Sequence, residues 1–189
     1  MKMKYYILLI IFYNICFSQK ILIPMDHLQS NHLKAYGIAF LHLEKSNDVD
    51  WLLNYRGGSF LLDDVDEIQN TCKIRGVSYE LINSWALSEI FSTIESNNME
   101  IILLEKVPKI AVYSPPNKQH WDDAVTLALA YADIKYDVIF DDEVINNKIN
   151  DYDWLHLHHE DFTGQYGKFY RSYRNQIWYK KMESDFNQT

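Results

Sequence analysis

From Lys20 onward, short apolar runs alternate with longer stretches whose apolar positions return every three or four residues. The runs predict strands and the periodic stretches predict helices. "KILIPM" is a strand-like run ended by Pro24 and Asp26. In "SNHLKAYGIAFLHLEK", Leu33, Tyr36, Ala39, Phe40 and Leu43 share a helix face, with Ser30 as the expected N-cap. "VDWLLNY" predicts a strand, and "DVDEIQNTCKIRG" a helix with acids in its first turn and Gly76 past its end. "VSYELI" and "MEIILLE" predict strands on either side of the helix "NSWALSEIFSTIESNN", capped by Asn83 or Ser84.

"KVPK", at 106–109, reads as a seam, because Pro108 interrupts regular structure and a new strand follows at once. That strand covers 109–114, and "PPNKQ" leads from it to a helix over roughly 120–134. The strand "YDVIF", a short helix near 143–149 and the strand "YDWLHL" complete the alternation. Strand–helix–strand order with short loops predicts parallel strands joined by crossovers. The expected class is α/β, with doubly wound, mostly parallel sheets. The expected division is an N-terminal α/β unit over 20–105 and a second α/β unit starting at 109 and continuing to 189.

Composition adds an address and removes a partner class. Lys2 and Lys4 precede an apolar stretch from Tyr5 to Phe17, and "CFSQ" follows, so residues 1–19 read as a secretion signal. The stretch is shorter than the roughly 20 residues that span a bilayer. The expected location is therefore secreted or periplasmic, with no membrane association once the signal is removed. A net charge of -8 argues against nucleic acid, which needs clustered cations. Once the signal is removed, Cys72 is the only cysteine, so no internal disulfide is expected. In its helix, Cys72 reads as a small core residue.

Candidate chemistry gathers where the predicted parallel strands end. "YDWLHLHHEDFTGQYG" carries His156, His158, His159, Glu160 and Asp161. Three readings are open. His159 and Glu160 could do acid–base work, an imidazole oriented by a carboxylate. His156 and His158 project to one face of a strand and form a weak metal-ligand pair lacking a third member. The plainest reading, and the favoured one, is a polar strand end that hydrogen-bonds its own loop. Ligands of open α/β sheets sit beyond the carboxyl ends of strands, which adds Ser114 and Asp141 to His158 and Asp161 as binding residues. In "NYRGGSF", Arg56, Gly57 and Gly58 could hold an anion, although Gly-Gly also suits a hairpin turn, the favoured reading. No phosphate-loop or dinucleotide fingerprint occurs, and no cofactor is expected.

Taken together, "ILIPMDHLQSNHLKAYGIAF", "WLLNYRGGSF", "KIAVYSPPN" and "DWLHLHHEDFTGQYGKFY" resemble a group of secreted Gram-negative bacterial proteins labelled asparagine synthetase B. Members are about twice this length, and their second part is similar to class I glutamine amidotransferases, a flavodoxin-like fold with a cysteine nucleophile after a glycine-rich strand. The resemblance implies that residues from about Lys109 begin that fold and that "LHHEDFTG" lines its crevice. It also implies a chain truncated before the nucleophile, since Cys72 does not match it. The N-terminal cysteine and SGG-type loop of asparagine synthesis do not occur, so that reaction is not expected. The expected function is a catalytically incomplete binding module for a small molecule or protein. The alternative is an amide-bond hydrolase or amidotransferase completed by a missing C-terminal half.

Overall fold

In the computed structural model, residues 19–115, 123–157 and 171–185 are described. The proposed signal up to residue 18 lies outside them, as do His158, His159, Glu160 and Asp161.

The first sheet has five strands, β1 (Lys20–Ile23), β2 (Val49–Leu53), β3 (Ser59–Asp63), β4 (Glu80–Ile82) and β5 (Glu100–Leu104), in the order β4-β1-β3-β2-β5. Every neighbouring pair is antiparallel, which corrects the expectation of a parallel sheet here. The physical reason lies in adjacency. β1 and β2 run in one direction and β3, β4 and β5 in the other, so each helix-linked pair is parallel, as predicted. The tight β2–β3 connection, however, places β3 between β1 and β2. With α1 (His32–Glu44) and α2 (Asp66–Arg75), strands β1 to β4 trace a βαββαβ path in the order 4-1-3-2, the split βαβ arrangement.

Helices cover both faces of this sheet. Ile21, Ile23, Phe60 and Leu62 pack with Ala35, Ile38 and Leu43 of α1 and with Ile68 and Cys72 of α2. On the other face, Leu22, Leu52 and Leu61 pack with Ile90 and Ile94 of α3 (Ser84–Ser96). Successive strand residues point to opposite faces, so the strands between two helix layers carry unbroken apolar runs, as at Ile21, Leu22 and Ile23 in β1 and Phe60, Leu61 and Leu62 in β3. Asn31, rather than Ser30, caps α1 by accepting the Lys34 N–H, and Asn83 caps α3 by accepting from Ala86.

The second sheet is parallel. β6 (Ile110–Tyr113) lies between β7 (Asp137–Ile139) and β8 (Trp154–Leu157), in the order β7-β6-β8. α4 (Ala124–Tyr131) and α5 (Asp141–Ile145) are the crossover helices, and α6 (Ile177–Asp185) follows in the tail. Parallel pairing of the segments near 110 and 154 agrees with the expectation. The two sheets meet through α1 and α4. Asn31 Nδ2 donates to Tyr131 Oη at 2.6 Å, Lys34 Nζ lies 4.9 Å from the Tyr131 ring centre, and Arg75 pairs with Asp133 at 3.0 Å.

Candidate functional site

The chain path makes a switch point at β6. From β6 it passes through α4 to β7 on one side, then through α5 to β8 on the other. Loops leaving such adjacent strands diverge to opposite faces, and a crevice opens between them at the carboxyl ends. Here that crevice lies between β6 and β8.

One described wall is built by His156, Asp123 and Ser114. His156 stands beside Val112 across the parallel pair. Strand alternation puts both on one face, and Ser114, two residues after Val112, continues that face. His156 Nε2 is 3.1 Å from Asp123 Oδ1. Asp123 is the N-cap of α4, and the same oxygen accepts the N–H groups of Val125 at 2.7 Å and Thr126 at 3.2 Å. Burial pushes the Asp123 carboxyl upward, but the Thr126 and Val125 amides and His156 outweigh it and hold the carboxyl below its ordinary value. Asp123 is therefore a carboxylate that orients an imidazole and starts a helix with the same atom. Ser114 is buried, and its Oγ has no hydrogen-bond partner among the described residues. Such an unpaired buried hydroxyl costs about 1–3 kcal/mol.

Asp141 lies on the other face. Tyr113 Oη donates to Asp141 Oδ1 at 2.6 Å, and the Tyr113 ring lies 5.2 Å from that of Phe140. Tyr113 aligns with Ile139 and Leu157, whose side chains alternate away from His156. β7, which leads to Asp141, and β8, which leads to the histidines, flank β6 at about 10 Å from one another. The fold thus brings Ser114 and His156 to one wall and sends Asp141 to the opposite face. The expectation that Asp141 shares a crevice with the histidine segment assumed that the strands carrying them are adjacent, and β6 separates them.

Arg56, Gly57 and Gly58 belong to the β2–β3 connection of the antiparallel sheet. Arg56 Nε donates to Asp26 at 2.7 Å and its Nη1 to Glu80 at 2.8 Å. An incoming anion would face those two carboxylates as well as the guanidinium. Gly57 has φ +84°, and a β-carbon there would stand 2.4 Å from the Met25 carbonyl oxygen. The Arg56 carbonyl accepts the Met25 N–H. These contacts give the loop a structural role as the turn of a hairpin. Cys72 is fully buried, and burial pushes its thiol up to about 11, far from the range of a reactive thiolate.

Two residues, one on each face, escaped the sequence reading. Asp123 reads in the sequence as an acid suited to a helix dipole. Its position as N-cap of the helix after β6 was the available signal, because the switch point sets that helix start beside β8. Tyr113 reads as an ordinary strand residue. Among the described residues, no three His, Cys, Asp or Glu side chains converge as metal ligands. His156 remains the described half of the weak metal pair with His158. Among the described residues, no helix is long and apolar enough to cross a membrane. Comparison with protein-family models, with curated proteins and with solved structures finds no match to the chain.

Proposed function

We propose that the chain is a secreted binding module of glutamine amidotransferase-like architecture whose small-molecule ligand seats between β6 and β8. The order β7-β6-β8 is that of the first three strands of flavodoxin-like sheets, whose ligands lie at the same switch point. The observation that carries the reading is the meeting of His156 and Asp123 there at 3.1 Å, beside a Ser114 hydroxyl that has no partner among the described residues. In the sequence His158, His159, Glu160 and Asp161 follow within five residues of His156. Polar groups of this kind suit a ligand with a carbonyl or amide group. Titration of the labelled protein with L-glutamine tests it. The amide signals of Ser114 and His156 should shift saturably in the wild type, and that of Ser114 should remain unchanged in His156→Ala. Unchanged wild-type signals would reject the proposal.

The second reading is an amide-bond hydrolase or amidotransferase whose nucleophile comes from chain beyond these residues. The imidazole–carboxylate pair favours it, since an activated nucleophile needs a base and a group that orients the base. Ammonia release from L-glutamine by a longer product of the same reading frame, abolished by His156→Ala, is its expected signature.

A further inference from the structure

A cavity of about 300 Å³ lies at the opposite, amino-terminal end of the parallel strands, in the seam between the two sheets. Its floor is apolar, with Phe40 from α1, Val107 and Pro108 from the connecting segment, and Ile110 from β6. Three of its charged groups already have partners. Lys135 pairs with Glu44 at 2.9 Å, and Asp137 accepts the Tyr152 hydroxyl at 3.1 Å.

Lys109 and Asp151 also line the cavity, and their side chains have no hydrogen bond or ion pair among the described residues. The backbone of Lys109 is nonetheless pinned. Its N–H donates to Asp153 Oδ2 at 2.9 Å, and its carbonyl accepts from the amides of Asp153 and Trp154. Asp151 closes the short helical turn Lys148–Asp151 just before β8. Among the described residues, the cavity therefore offers at its exposed rim one cation, Lys109, and one anion, Asp151, whose side chains have no partner, together with an apolar surface. The two charges make no ion pair with each other.

We propose that this cavity binds a small zwitterion bearing an apolar group, as in an α-amino acid with an aromatic or branched side chain. The ligand carboxylate meets Lys109, its ammonium meets Asp151, and its apolar group lies on Phe40 and Pro108. A ligand with one charge leaves the opposite protein charge without a partner. The volume stands near the lower end of the roughly 300–1,000 Å³ typical of ligand pockets, which suits an amino acid and not a nucleotide cofactor.

Calorimetric titration of the full chain with L-phenylalanine and L-leucine tests the proposal. Saturable binding is expected, weakened about tenfold or more by Lys109→Met and by Asp151→Asn and retained by Lys109→Arg. Phenylacetate and phenethylamine, each with one of the two charges, should bind more weakly than L-phenylalanine. Thermal unfolding of each variant separates lost binding from lost folding. His156→Ala should leave this binding intact, so the site stands or falls apart from the β6–β8 crevice. No saturable binding of either amino acid up to about 10 mM, or binding that both charge-removing variants leave unchanged, would overturn it.

Discussion

Gly37, in the middle of α1, faces the backbone carbonyl of Ala132 so closely that a β-carbon at Gly37 would stand 1.9 Å from that oxygen. Two effects of a Gly37→Ala change oppose each other. Alanine in a helix interior gains about 1 kcal/mol over glycine. Overpacking costs about 1–3 kcal/mol, and here the obstacle is backbone, which cannot rotate aside. The clash should win, with a lowered urea midpoint for Gly37→Ala. A stabilised variant would show that α1 and α4 are not in this contact.

His42, in the last turn of α1, is buried, and neither ring nitrogen has a hydrogen-bond partner among the described residues. Burial pushes its imidazole below the ordinary value; Asp63 opposes this, and Lys20 and Lys45 add to it. The unfolded chain therefore binds a proton at this residue before the native one does. Its contribution to stability is complete above about pH 6.5 and declines as the pH falls below that value toward the native pKa. Urea unfolding at a series of pH values should show this decline in the wild type and a smaller one in His42→Leu. Near neutral pH, His42→Leu should raise stability by about 1–3 kcal/mol, because two unpaired nitrogens leave the core.

Asp123 combines two roles, which substitutions can separate. Asp123→Ala loses the cap of α4 and should cost about 0.5–2 kcal/mol, whereas Asp123→Asn keeps a capping oxygen and should cost much less. A double-mutant cycle of Asp123→Ala with His156→Ala should give a coupling energy of about 0.5–3 kcal/mol. Additive losses in that cycle would mean that the 3.1 Å approach carries no interaction.

Cys72 should behave as a core residue. With the thiol held near 11 and fully buried, modification by a thiol reagent near neutral pH should proceed only as fast as the protein opens. Rapid labelling of the folded chain would contradict the packing of α2 on the antiparallel sheet.

Much of the element order was legible in the periodicity. The strand at β8 and the helices α1, α2 and α3 appear near their expected bounds, and the Gly-Gly hairpin reading agrees with the antiparallel β2–β3 pair. Adjacency was not legible. Ile21, Leu22 and Ile23 are apolar in succession because helices cover both faces of β1, and that pattern is the same in a parallel and an antiparallel sheet. The candidate site shows the same limit. His156 could be placed at a strand end from its own neighbours. Its partner Asp123, 33 residues earlier in the chain, could not.

The sequence by itself determined where strands and helices form, because side-chain periodicity and capping residues act over a few neighbouring positions. It also determined the acidic charge and the cationic, apolar character of the first residues. Only the tertiary structure decided which strands lie side by side, and therefore that Ser114 joins His156 while Asp141 turns to the far face. That choice depends on the packing of whole layers and on where the β2–β3 hairpin inserts, and no local window of residues contains it.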